Sequence, residues 1–174
     1  EPVSILGGVA NPSFLALHPD GRHLYSVNGG LASGVSAFAL DPVAGTLTFL
    51  NRQSSEGENP AHISVDRNGR FAAVANFTGG TAALLPIEAD GRLGPASDVV
   101  RHSGPPGPHP TRQDRPHPHQ IPLDPGGPFA LVNDLGLDRT YVYRLDRPLQ
   151  QEIDGGRRRL AGDLVRAHGN RRRR

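Results

Sequence analysis

Cysteine, methionine, tryptophan and lysine are missing from all 174 residues. The lack of cysteine excludes a disulfide framework and thiol chemistry. The lack of lysine leaves arginine to carry every basic charge, a trait of a GC-rich coding sequence rather than of a function. No apolar run is long enough to span a membrane and no signal peptide is visible, so no membrane partner is expected. The chain does not begin with Met, and a leader on a longer precursor would escape notice. The cytoplasm is the expected compartment, with the periplasm and secretion left open.

The charge is unevenly placed. The whole chain carries a formal +2, but residues 149–174 hold eight Arg against Glu152, Asp154 and Asp163, about +5. Residues 1–148 therefore come out near −3. The basic runs at 157–159 and 171–174 have the charge that nucleic acid attracts. No recognition motif or interleaved aromatic accompanies them, so a poorly ordered basic end is the simpler expectation and no nucleic-acid partner is expected.

What the chain does have is repetition. Residues 11–28 read NPSFLALHPDGRHLYSVN and residues 59–76 read NPAHISVDRNGRFAAVAN. Residues 116–134, PHPHQIPLDPGGPFALVND, form a looser third copy. The copies start about 48 and then about 58 residues apart, the range of propellers and other repeat arrays. Each copy has a short apolar run (14–17, 63–65, 121–123), a turn (Asp20-Gly21, Asn68-Gly69, Gly126-Gly127) and a second run (23–27, 71–75, 129–132). The runs are too short for helices, and Asn-Gly and Asp-Gly supply the positive φ of tight hairpins. A third run follows at 35–40, 81–87 and 140–145, alternating in the last as a half-buried strand does. A fourth follows the first two copies, at 46–50 and 98–101.

Four strands joined by short turns are the plan of a propeller blade. The expected fold is all-β: an incomplete β-propeller of about two and a half to three four-stranded blades over residues 1–148. A leading strand at 3–6 would belong to a neighbouring blade, and residues 149–174 form a divergent basic tail. A propeller needs at least four blades of about 40 residues, so a ring cannot close at this length. The remaining blades are expected to be missing from this chain, as in a piece of a longer protein; assembly of several chains and an open sheet array are the alternatives. Two open blade edges would expose unpaired backbone, and poor solubility is expected.

The most unusual segment is 102–119, HSGPPGPHPTRQDRPHPH. It is too rich in Pro and Gly for a helix or strand, and loops this long are functional or disordered. It holds four of the eight His: His102, His109, His117 and His119. A fixed imidazole is a candidate general base or acid near neutral pH. Arg112, Arg115 and Arg139 are candidates for holding carboxylate or phosphate. His117 and His119 are read as pointing to opposite sides of an extended segment, with His119, just before the third hairpin's first strand, the better anchored. His-x-His is also a metal-ligand spacing that Asp114 or Asp134 could extend, though no clear third ligand stands out. Asn11, Asn28 and Asn59 are read as structural. Asn76, beside Gly79-Gly80, is the one read as reaching a ligand.

These same residues carry a resemblance. The two clear copies, the GPPGPHPTRQ lead-in and RQDRPHPHQIPLDPGGPFALVNDLGLDRTYVYRLD resemble the lactonase family of seven-bladed β-propellers, of 6-phosphogluconolactonase type, over about 11–146. The resemblance implies a hydrolase that opens a sugar lactone, 6-phosphoglucono-1,5-lactone to 6-phosphogluconate in the pentose phosphate pathway. It implies a small-molecule partner, no cofactor and no metal. It places His119 at the position that takes part in proton transfer in the family's lactonizing members. Arg112, Gln113 and His117 fall on the RQxxPHxH motif. Asp134 and Arg139 fall on DLGxDR, giving, with Asn76, the expected substrate-binding set. The chain departs from the family after Asp146, where the text no longer aligns, and at Gly29, where the family tends to have Glu. The alternatives are a non-catalytic propeller that binds a partner on its face, and a relative of the muconate lactonizing enzymes.

Overall fold

The turn signals of the three copies close hairpins, with Gly21 and Gly69 both at φ +68°. The computed structural model describes residues 1–145 and the strand at 164–166. Three antiparallel meanders of four strands result. The first is β1 (Pro12–Leu17), β2 (His23–Asn28), β3 (Gly34–Asp41) and β4 (Thr46–Gln53). The second is β5 (Pro60–Val65), β6 (Phe71–Asn76), β7 (Thr81–Pro86) and β8 (Asp98–Arg101). The third is β9 (Pro118–Gln120), β10 (Phe129–Asp134), β11 (Arg139–Leu145) and β12 (Leu164–Arg166).

The sheets stack face to face like a fan. At the inner edge β1 lies against β5 and β5 against β9, and at the outer edge β8 meets β12. The middle sheet is covered on both faces, which explains why β6 and β7 read as unbroken small and apolar runs rather than as alternation. Ala72, Val74, Ala83 and Leu85 point towards Tyr25, Val27, Val35 and Ala37 of the first sheet. Ala73, Ala75, Ala82 and Leu84 point towards Ala130, Val132 and Tyr143 of the third. Period-two alternation thus sorts one strand's side chains into two cores. Alanine at so many of these positions lets the sheets approach.

One position of the repeat ties each hairpin to the chain entering its sheet. Asn28 Nδ2 donates to Ala10 O at 2.7 Å, and Asn76 Nδ2 donates to Ser55 O at 2.7 Å. In the third copy the position is Asp134, whose Oδ1 accepts from His117 N at 2.8 Å.

Several expectations need correction. Residues 3–6 are not a strand: they run extended over the first sheet, where Ser4 Oγ donates to Gly45 O at 2.6 Å. A strand needs a partner's ladder, and among the described residues that segment has none. The third hairpin opens at Pro118–Gln120, earlier than 121–123, which keeps only the Leu123 to Ala130 bridge. Pro122 lacks the N–H that a continuous ladder requires. The third sheet also has a fourth strand that the sequence did not suggest. Leu164–Arg166, within the stretch read as tail, pairs with Tyr143 to Leu145. The other residues of 149–174 lie outside the described residues. Among the described residues no helix is long and apolar enough to cross a membrane.

Candidate active site

The Pro-rich loop is pinned down rather than free. Gln113, almost fully buried, accepts from His109 N at 2.9 Å and donates from Nε2 to Leu135 O at 2.8 Å. Gly107 N donates to Gly136 O at 2.9 Å. Gly136 must lack a side chain, because a Cβ there would overlap the Arg115 carbonyl. The loop is therefore folded down on the turn between β10 and β11.

Beneath it lies a buried polar chain. The side chains of His102 and Asp134 are fully buried, with His102 Nδ1 2.6 Å from Asp134 Oδ2. Because the carboxylate only accepts, Nδ1 carries the hydrogen, and Nε2 accepts from Tyr143 Oη at 2.9 Å. The other oxygen, Asp134 Oδ1, accepts from His117 N at 2.8 Å and Leu137 N at 3.0 Å. Burial pushes the Asp134 carboxyl up, but the hydrogen bonds from His102, His117 N and Leu137 N outweigh it. The group is held below the usual carboxylate range.

His117 and His119 differ in what holds them. His117 is buried, stacks on Phe77 at 4.3 Å between centroids, and has both ring nitrogens facing acceptors, Phe77 O at 3.0 Å and Asp114 Oδ1 at 2.8 Å. The His117 hydrogen bond holds the Asp114 carboxyl below its ordinary value. With both nitrogens engaged, His117 is a clamp and is not offered as a base or a metal ligand. His119 is exposed, within β9 rather than before it, and meets the edge of Phe77 at 5.7 Å. Both rings thus meet one phenyl group. The expectation of opposite sides was wrong, since residues two apart on an extended strand share a side. Among the described residues no hydrogen bond holds the His119 ring, so its nitrogens are available.

His119 lines an open cavity of about 490 Å³ with Arg112, Gln120, Asn133, Asp134, Leu135, Asp138, Arg139 and Thr140. Of these, Gln120, Asn133 and Thr140 lie on the face of the third sheet turned away from the second. Across that face Asn133 Nδ2 donates to Gln120 Oε1 at 2.9 Å, and Thr140 Oγ1 donates to Asn133 Oδ1 at 2.8 Å. Four of the seven expected site residues meet here: His119, Arg112, Asp134 and Arg139. Gln113 and His117 stand behind as supports. Asn76 is elsewhere: fully buried, it donates to Ser55 O and, at 2.9 Å, to Thr81 Oγ1. It belongs with Asn28 as a strand-end tie, and its expected reach to a ligand is not seen.

Sequence reasoning missed the polar ladder of Gln120, Asn133 and Thr140, the His102–Tyr143 chain, Phe77, and His62. His62 sits on β5, half-buried; burial first, and the neighbouring His119 charge second, hold its imidazole below its ordinary value. Alignment of the copies was the signal that could have found it, since His62 occupies the Gln120 position.

Residues 1–159 match the family model described as "Lactonase, 7-bladed beta-propeller". The chain belongs to that lactonase family. It is 36% identical over 138 residues to the 6-phosphogluconolactonase of Bacillus subtilis, covering 79% of this chain and 39% of that protein. It is 29% identical to the 6-phosphogluconolactonase of Formosa agariphila, covering 87% of this chain and 43% of that one. Among solved structures it is similar to the periplasmic gluconolactonase PpgL of Pseudomonas aeruginosa, at 31% identity and a TM-score of 0.75, over 83% of this chain and 42% of that one. The chain spans about two fifths of the length of these curated lactonase relatives.

Proposed function

We propose that this lactonase-family chain opens a phosphorylated sugar lactone, 6-phosphoglucono-1,5-lactone, at the cavity beside β9. The observation that carries the reading is that His119, whose ring makes no hydrogen bond among the described residues, lines one cavity with Arg112 and Arg139. The names of the B. subtilis and F. agariphila relatives support the choice of substrate.

The reaction needs water to add to the C1 carbonyl and the bond from C1 to the ring oxygen to break. His119 takes a proton from the attacking water as the new C–O bond forms, and returns it to the ring oxygen as that oxygen leaves. The product is the open-chain acid, which ionises to a carboxylate. Arg112 and Arg139 hold the phosphate in bidentate fashion, and whichever lies nearer C1 stabilises the developing oxyanion. Gln120, Asn133 and Thr140 present both donors and acceptors to sugar hydroxyls. Asp134 does not touch the reacting atoms; through His117 N it fixes the start of β9, and with it His119.

A phosphorylated substrate favours the cytoplasm as compartment, whereas the P. aeruginosa relative is periplasmic and named for an unphosphorylated lactone. Hydrolysis of glucono-1,5-lactone with and without the 6-phosphate separates the two. The expected result is a preference for the phosphorylated lactone, with a KM about tenfold higher in Arg112→Ala or Arg139→Ala for that substrate alone. Equal handling of both lactones by all three proteins would remove the phosphate from the reading.

A further inference from the structure

The first hairpin turn carries a group of side chains that the other two copies lack. His18, Asp20 and His23 align with Asp66, Asn68 and Phe71, and with Asp124, Gly126 and Phe129. The later hairpins close on those residues. Asp66 caps its turn by accepting from Asn68 N and Phe71 N, and Asp124 Oδ1 accepts from Gly126 N at 3.0 Å. In the first copy His18 Nδ1 takes that capping place, accepting from Asp20 N at 3.2 Å, and His23 takes no part in the capping.

In the first copy the donor atoms converge. One ligand atom from each of His18, Asp20 and His23 lies within 4.8 Å of the other two. His18 Nδ1 is 2.9 Å from Asp20 Oδ1, and His23 Nδ1 is 2.7 Å from Asp20 Oδ2. His18 Nε2 lies 3.0 Å from Gly69 O. A carbonyl oxygen only accepts, so Nε2 carries the hydrogen, and in the neutral ring Nδ1 keeps its lone pair. That lone pair accepts from Asp20 N at 3.2 Å and also stands 2.9 Å from Asp20 Oδ1. A cation bound there would draw on both the nitrogen and the carboxylate. A ring N–H on a backbone carbonyl is also the arrangement that orients metal-bound histidine.

The rings are held by the neighbouring sheet. His18 lies on Gly69 and His23 on Gly91, and a Cβ at either glycine would strike the ring. Tyr25 Oη donates to Gly91 O at 3.1 Å, fixing that second contact. The three side chains keep 15%, 35% and 18% of their surface for His18, Asp20 and His23, enough for an ion to enter. Burial pushes the Asp20 carboxyl up, but Arg22 N, His23 and His18 hold it at about 2.

We propose that His18, Asp20 and His23 form a binding site for a divalent transition-metal ion of the zinc class, which ties the first sheet to the turns of the second. Two imidazoles and one carboxylate suit zinc and cobalt rather than magnesium or calcium, and three protein ligands leave a coordination position for water. The site lies at the opposite end of the strands from the turn that bears the His119 cavity and plays no part in the proposed hydrolysis.

The test titrates ZnCl2 into the chain by calorimetry and CoCl2 by visible absorption, with MgCl2 as the comparison. One equivalent of Zn2+ is expected to bind, Co2+ to develop the d–d bands of a nitrogen- and oxygen-ligated site, and Mg2+ to do neither. His18→Gln and His23→Gln are each expected to weaken Zn2+ at least tenfold. Circular dichroism shows whether these variants are folded, and Asp20→Asn, which keeps size and shape, replaces any that is not. No Zn2+ binding, no Co2+ bands, or equal binding by the folded variants would each overturn the proposal.

Discussion

Removal of the Asp134 carboxylate tests the buried chain that holds the site. Three donors converge on it: His102 Nδ1 at 2.6 Å, His117 N at 2.8 Å and Leu137 N at 3.0 Å. Asp134→Ala leaves all three without their acceptor in a buried setting. Each orphaned group costs about 1–3 kcal/mol, and relaxation keeps the total below the sum, so a loss of about 3–5 kcal/mol is expected. Asp134→Asn retains an oxygen for the two backbone N–H groups and turns an N–H towards His102. Its expected loss is about 1–3 kcal/mol. Urea denaturation followed by circular dichroism reads both. The pH dependence follows from the same hydrogen bonds. The folded carboxyl is held below its unfolded value, so the unfolded chain takes the proton first on acidification. The contribution is present above about pH 4 and is lost as pH falls through the folded value; both variants should flatten that part of the curve. An alanine variant within about 1 kcal/mol of the parent, or an asparagine variant that loses more than alanine, would refute the reasoning.

His62 is held below its ordinary value by burial and by His119, so acid favours the unfolded chain, which takes the proton first. Stability should fall as pH drops below about 6.5, and His62→Phe should lessen the fall between pH 7 and pH 5, read by thermal melts; identical curves would contradict this. Gly136→Ala forces the Arg115 carbonyl away and should lift the Pro-rich loop, seen as faster trypsin cleavage after Arg112. Gln113→Ala, which loses the ties to His109 N and Leu135 O, should act in the same direction and more weakly.

Hairpins were legible because their signals are local: Asp20-Gly21 and Asn68-Gly69 stand between short apolar runs, and those runs became β1 with β2 and β5 with β6. The fourth strand of the third sheet was not legible. Leu164–Arg166 is three residues in a stretch of Arg and Gly, and only pairing with β11 makes it a strand. His119, Arg112 and Arg139 were found from residue type and family motif, and they do share a cavity. Asn76 was misplaced because the same Asn at a strand end serves a backbone tie or a ligand equally well in one dimension. The fate of Asp134 was hidden for a related reason. Its partner His102 lies 32 residues away, and the pair exists only because β8 and β10 bring both ends together. Phe77 gave no sign, since one aromatic after a strand has no pattern to mark it.

The central claim is that His119 moves the proton in lactone opening. The most direct measurement is the initial rate of 6-phosphoglucono-1,5-lactone hydrolysis, above the spontaneous background, for the chain and for His119→Ala side by side. The expected result is a kcat lower by about 10²-fold or more with KM changed little, as for the loss of a general acid–base group. Equal kcat values, or no rate above background in the unaltered chain, would contradict it.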